Sequence, residues 1–123
     1  MAILINRSTR VLIQGITGTV GSFQTRIMQE YGTNVVAGVT PGKGGQQIHG
    51  IPVYDSVAQA TAEHEVDAVF GFVPARFAMD GALEVIDVGI PLLVLTAEGL
   101  PDQDMLTIIN YAACKGTIVV GPD

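Results

Sequence analysis

Gly15-Ile16-Thr17-Gly18-Thr19-Val20-Gly21 is the stretch whose reading decides how this chain folds. It follows a short apolar run, Val11 to Ile13, and precedes a segment with helical spacing, so its glycines fall where a strand turns into a helix. Glycines at such a turn permit positive φ and close backbone approach to a ligand, and the unpaired amides of the following helix favour an anion. The three glycines are spaced three and three, whereas the dinucleotide fingerprint is Gly-x-Gly-x-x-Gly. Alone, the loop fits either a phosphate cradle or a tight turn that binds nothing.

The rest of the chain repeats the alternation. Asn6 to Arg10 reads as a polar turn after a short apolar entry at Ile3 to Ile5, and the first strand is Val11 to Gln14. A helix over Ser22 to Tyr31, with Phe23, Ile27 and Met28 on one face, is stopped by Gly32. The second strand, Asn34 to Val39, runs into Thr40-Pro41-Gly42-Lys43-Gly44-Gly45, a loop by its Pro and Gly content. Ile51 to Tyr54 adds a short extended piece, and Ser56 is the N-cap expected for a helix to about His64. The third strand, Ala68 to Val73, is a nearly continuous apolar run of the kind buried on both faces. A helix from near Phe77 to Asp87 buries Ala78, Ala82, Leu83 and Ile86. Then follow a fourth strand at Leu92 to Leu95, a helix over Asp102 to Lys115 with Met105, Ile108, Ile109 and Ala112 inward, and a fifth strand at Thr117 to Val120. This pattern predicts one α/β domain over residues 1–123, a doubly wound, Rossmann-like parallel sheet of about five strands in the order 3-2-1-4-5. Ligands of such sheets bind beyond the carboxyl ends of the strands, where Gly15–Gly21, Thr40–Gly45, Pro74–Phe77 and Thr96–Gly99 crowd one edge.

Composition narrows the function. Of the 123 residues 48% are apolar and 15% charged, which suits a sheet covered on both faces. The formal net charge is −6, from 12 acidic and 6 basic residues without a basic cluster, so the chain lacks the electrostatic footprint of a nucleic-acid binder. One cysteine, Cys114, excludes an internal disulfide and fits a reducing, cytoplasmic setting; on the last helix it reads as core or near-core packing. His49 and His64 lie in no metal-ligand pattern, and no metal site is expected. The apolar run near Met1 is too short for a signal peptide or a membrane span.

The candidate binding residues stand in the loops. Where a nicotinamide-binding domain presents an acid at the end of its second strand, this chain has Val39-Thr40 followed by Lys43. A cation there suits a phosphate on the adenosine ribose, as in NADP or coenzyme A, and argues against NAD; the alternative is a solvated loop lysine. Glu98 is the acid at the ligand edge, able to accept hydrogen bonds there or simply to favour a helix start. No nucleophile and base are paired, so no catalytic residue is assigned.

Together these segments resemble a known family. Gln14-Gly15-Ile16-Thr17-Gly18 with Gly21, Tyr31-Gly32-Thr33, Gly38-Val39-Thr40-Pro41-Gly42-Lys43-Gly44-Gly45, Val73-Pro74-Ala75, and Glu98-Gly99-Leu100-Pro101 with Asp104-Met105-Leu106 are similar to the N-terminal coenzyme A-binding domain of the succinyl-CoA synthetase α subunit. Malate–CoA ligase and ATP-citrate lyase share that domain. The resemblance covers essentially the whole chain, and it implies a coenzyme A site at Thr17, Gly18, Thr19, Val20 and Lys43, joined by Thr96, Ala97 and Glu98. It also implies that the full enzyme joins an acid to coenzyme A through a phosphohistidine on a second domain, with a nucleotide-binding β subunit as partner. Neither His49 nor His64 matches the phosphorylated position, so the chain is expected to bind coenzyme A without turning over alone.

Three positions depart from the family pattern. Val20 stands where a polar residue is usual, Thr96-Ala97-Glu98 replaces an apolar-Thr-Glu run, and Gly121-Pro122-Asp123 replaces Gly-Pro-Asn. Two further readings compete with a ligase fragment: a stand-alone coenzyme A sensor or carrier, and an NADP-dependent oxidoreductase domain. The high apolar content also makes self-association an expectation.

Overall fold

A computed structural model describes residues 5–121. The short apolar entry at Ile3–Ile5 lies mostly outside them, as do Pro122 and Asp123. The described chain runs β1 (Arg10–Gln14), α1 (Thr19–Tyr31), β2 (Asn34–Val39), β3 (Gln47–Ile48), β4 (Ile51–Tyr54), α2 (Val57–Glu63), β5 (Ala68–Gly71), α3 (Ala75–Asp87), β6 (Leu92–Leu95), α4 (Asp102–Lys115) and β7 (Ile118–Val120). One sheet in the order β3-β4-β2-β1-β5-β6-β7 holds all seven strands, parallel except for the antiparallel pair β3·β4.

The doubly wound parallel architecture agrees with the sequence, but the strand order does not. The expected order set the Ala68 strand outside β2. That place belongs to β4, the short piece at Ile51–Tyr54, and β5 pairs with the opposite side of β1. The reason is local. His49 and Gly50, at φ 52 and 83, form a two-residue turn that folds β3 back on β4, with Gly45 N donating to Val53 O and Val53 N to Gln46 O across the hairpin. This hairpin occupies the β2 edge, so the α2 crossover carries the chain back past β1. The reversal of strand order therefore falls between β1 and β5.

Period-two alternation divides the core. Leu12, Val69, Leu93 and Leu95 face α2, α3 and α4 with Val57, Val85, Ile86 and Ile108, while Val11, Ile13, Ile16, Ile51 and Val53 pack on the α1 side. The helices begin and end by identifiable chemistry. Ser56 Oγ accepts from Gln59 N at 3.1 Å, as expected of its cap. Helix α4 keeps its expected bounds, with Asp102 and Asp104 at its positive end and Lys115 at its negative end. Helix α3 starts two residues earlier than expected, because Pro74 at its N-cap already holds φ at −58°.

Several burial expectations fail. Phe23 is 63% exposed, since α1 buries Gly21 and Thr25 instead and lies too close to the sheet for a ring. Leu83 is only half-buried, and Val85 takes its place in the α3 stripe. Ile109 and Cys114 are exposed, because the inward line of α4 is Ile108 and Ala112. The free thiol is thus at the surface. No helix among the described residues is long and apolar enough to cross a membrane.

Candidate binding site at the reversal of strand order

The three central strands end together and are tied there by backbone bonds. Gly15 N donates to Val39 O at 2.8 Å, and Phe72 N donates to Gln14 O at 2.9 Å. From this junction the chain turns through Gly15, at φ +76°, into α1. A Cβ on Gly15 would sit 2.4 Å from Phe72 O, and one on Gly21 would sit 2.1 Å from Gly15 O. Both contacts are with backbone, so α1 can rest on the loop only because these residues have no side chain. Gly38 serves the same end from β2, where a Cβ would lie 2.4 Å from Ile16 Cδ1. Gly18 caps α1 without a side-chain bond, which leaves first-turn amides turned outward for an anion.

A cleft of about 710 Å³ opens above this junction. Its floor is Gln14, Gly15, Thr17 and Gly18 from the end of β1 and the following loop. Val39, Thr40 and Pro41 form one wall, and Phe72, Val73 and Pro74 the other. Helix α3 completes it with Phe77, Asp80, Gly81 and Glu84. The surface is largely apolar with a few polar groups at its base, as in sites for nucleotide-like cofactors. A shallower depression of about 330 Å³ lies beside the β3–β4 hairpin at the sheet edge, lined by Gly44, Gly45 and the end of β4 at Tyr54 and Asp55. The larger cleft is the functional candidate because it stands at the switch point of the sheet.

The second glycine loop borders the same cleft and is held differently. Thr17 Oγ1 donates to Thr40 Oγ1 at 3.1 Å, joining the two loops. Asp55 Oδ1 then accepts from Gly42 N at 2.8 Å and Gly44 N at 2.9 Å. This carboxylate fixes the backbone on either side of Lys43, whose ammonium is exposed and forms no ion pair among the described residues. Beyond β6, Thr96 Oγ1 donates to Gly71 O at 2.7 Å, which anchors the loop that carries Ala97 and Glu98 beside the end of β5.

Of the residues expected to bind, Thr17 and Gly18 line the cleft. Thr19 and Val20 form the exposed first turn of α1; Lys43 stands past Pro41; Thr96, buried Ala97 and exposed Glu98 follow the end of β6, outside the lining. Sequence reasoning placed Pro74–Phe77 at this edge, as the lining has it, but missed Asp80, Gly81 and Glu84 farther along α3, and Gln14. The signal was available: once Ala68–Gly71 lies beside β1, its loop and the start of α3 must face the glycine turn. His49 sits in the hairpin turn, 3.1 Å from Ser22 Oγ, and His64 lies 2.9 Å from Tyr54 Oη. Burial first, and then Glu63, push the Tyr54 hydroxyl above its ordinary value. No group of three His, Cys, Asp or Glu side chains among the described residues could hold a metal ion.

Residues 6–99 match the family described as the CoA binding domain, a span that holds β1 through β6 and every loop around the cleft. The chain belongs to the CoA-binding domain family. Among curated proteins, this CoA-binding domain is 48% identical over 123 residues to subunit alpha 1 of the ADP-forming succinate–CoA ligase of Archaeoglobus fulgidus, covering 100% of the chain and 42% of that protein. It is 46% identical over 121 residues to an ADP-forming sulfoacetate-CoA ligase subunit of an Acholeplasma species, covering 98% of the chain and 41% of that protein. The chain thus spans about two-fifths of the length of these relatives. Among solved structures, ATP citrate lyase from Methanothrix soehngenii, in complex with citrate and coenzyme A, superposes with a TM-score of 0.80 at 19% identity, over 98% of this chain and 21% of that one. At that identity the likeness is one of fold.

Proposed function

We propose that this domain binds coenzyme A in the cleft between β1 and β5 and serves as the coenzyme-binding part of an acid–CoA ligase α subunit. The observation that carries this reading is the sequence of groups along the site: free first-turn amides of α1, an apolar trough, and an exposed Lys43 on a loop braced by Asp55. The amides of Thr19 and Val20 suit a pyrophosphate, while those of Gly18 and Thr17 donate to Gly15 O and Thr40 Oγ1 and shape the loop. Lys43 suits the phosphate on the adenosine ribose, which distinguishes coenzyme A from NAD. Thr96, Ala97 and Glu98 are assigned to the coenzyme's far end, reached as it passes the end of β5. Relatives named as ligase α subunits support the wider role, in which a β subunit supplies the nucleotide site and the chemistry lies on a further domain. The chain itself then holds and presents the coenzyme, in the cytoplasm.

Calorimetric titration tests this. Coenzyme A binds the wild-type chain, dephospho-coenzyme A binds more weakly, and Lys43→Ala lowers affinity for coenzyme A about tenfold while dephospho-coenzyme A is indifferent to the substitution. Binding of NADP in preference to coenzyme A, or equal affinity for coenzyme A with and without the ribose phosphate, overturns the reading.

A further inference from the structure

Gln14 is the last residue of β1 and only 3% exposed, yet it lines the cleft. Its Nε2 donates to Gly81 O at 3.0 Å, so the side chain bridges the end of the central strand to α3. Its Oε1 is buried and has no hydrogen-bond partner. The glycines around it leave the room this amide occupies. A Cβ on Gly71 would approach Oε1 to 3.1 Å, and one on Gly81 would approach Nε2 to 3.3 Å. Turning the amide over would remove the bond to Gly81 and set oxygen against oxygen, so Nε2 faces Gly81 O and Oε1 is the atom left unpaired. An orphaned acceptor in a packed interior is a cost to the free protein that a bound donor relieves.

We propose that Gln14 Oε1 is the acceptor for an amide N–H in the pantetheine arm of coenzyme A, and that Gln14 is therefore a residue of the site; this rests on the reading above. Charge decides which part of the coenzyme lies here. Asp80 and Glu84 on α3 border the same end of the cleft, and two carboxylates repel phosphates. The phosphates belong on the opposite side, toward the α1 start and Lys43. The uncharged arm, with its two amide donors, is the segment compatible with an acidic wall and an unpaired acceptor. A side-chain adjustment of the buried amide completes the contact when the arm enters.

The test compares Gln14→Leu with wild type, titrating coenzyme A and adenosine 3′,5′-bisphosphate, which carries the nucleotide end without the arm. Gln14→Met, which keeps the unbranched stem, replaces Gln14→Leu if thermal unfolding finds that variant destabilised. The expected result is a loss of coenzyme A affinity of tenfold or more, bisphosphate affinity within twofold of wild type, and a melting temperature no lower than wild type, because Gly81 O keeps its bond inside α3. Unchanged coenzyme A affinity in a folded variant overturns the proposal, as does an equal loss with both ligands. Failure of the wild-type chain to bind coenzyme A overturns the functional reading itself, and so is told apart from a failure specific to Gln14.

Discussion

The two glycine loops that border the cleft are alike in sequence and opposite in construction. In Gly15–Gly21 the absent side chains are filled by backbone: Gly15 meets Phe72 O, and Gly21 meets Gly15 O. In Pro41–Gly45 a Cβ on Gly42 or Gly45 would meet nothing within 4 Å, and their φ values of +85° and +91° make glycine useful for conformation alone. Contact between strand, loop and helix holds the first loop, whereas hydrogen bonds hold the second: Asp55 accepts from two of its amides, and Lys43 N and Gly45 N donate to Thr40 O and Val53 O. The first can place amides against an anion with no adjustment. The second carries its cation on a loop braced by hydrogen bonds and not by packing.

Gly21→Ala breaks this comparison most severely. The new methyl would stand 2.1 Å from a carbonyl oxygen in the packed strand-to-helix turn, so α1 must lift from the sheet. We expect a loss of about 3 kcal/mol or more, in the upper range for overpacking, and a coenzyme affinity too low to measure. Urea denaturation and calorimetry check both outcomes. A variant as stable as wild type would mean that the first loop is no more rigid than the second.

Asp55→Ala acts on the second loop and should cost less. It removes two hydrogen bonds to an ionised acceptor at an exposed site, about 1–2 kcal/mol, and frees the backbone around Lys43. Coenzyme A affinity should fall several-fold, while adding it to Lys43→Ala should cost little further affinity, because both act through the same ammonium. A double-mutant cycle measures this coupling. Additive losses would separate the brace from the cation.

How much of this contrast was readable from sequence follows from what each loop depends on. The first loop was readable because strand, glycines and helix are consecutive, and α4 was readable from its acidic start and the spacing of Ile108 and Ala112. The bracing of the second loop was not, since Asp55 lies 11 residues beyond Gly44 and reaches it through the hairpin. The strand order failed at the same hairpin, because a two-residue strand such as β3 is too short to carry an alternation signal. The omission of Asp80, Gly81 and Glu84 from the wall followed from that error. Gln14 was quoted as part of a motif without a role, for its significance lies in a missing partner, and a pattern of residues cannot register an unpaired atom. Exposed Phe23 has the reverse lesson: helical spacing said it could turn inward, but the closeness of α1 to the sheet, set by Gly21, decided that it does not.

The smallest expected effect concerns the far end of the strand that carries the first loop. Arg10 Nε and N donate to Asp67 Oδ2 at 2.9 and 2.8 Å, and Arg10 Nη2 donates to Oδ1 at 3.0 Å, which pins β1 to the entry of β5. The arginine side chain foremost, with its backbone amide, holds the Asp67 carboxyl below its ordinary value of 3.8 against a lesser opposing effect of burial. A carboxyl lowered in the folded state contributes stability that is present above the unfolded value near pH 4 and is lost as pH falls through the folded value. The pair is two-fifths exposed on each side, so solvent screening keeps the contribution small. Wild type should therefore lose slightly more stability than Asp67→Asn between pH 5 and pH 3, by thermal unfolding, and the two should bind coenzyme A equally well at pH 7. The construction of the first loop decides this last outcome. If its geometry is set by Phe72 O and Gly15 O at the carboxyl end of the strand, loosening the amino end leaves the amides where they are. An affinity loss in Asp67→Asn would mean instead that the whole of β1, and not the glycine packing alone, sets the loop.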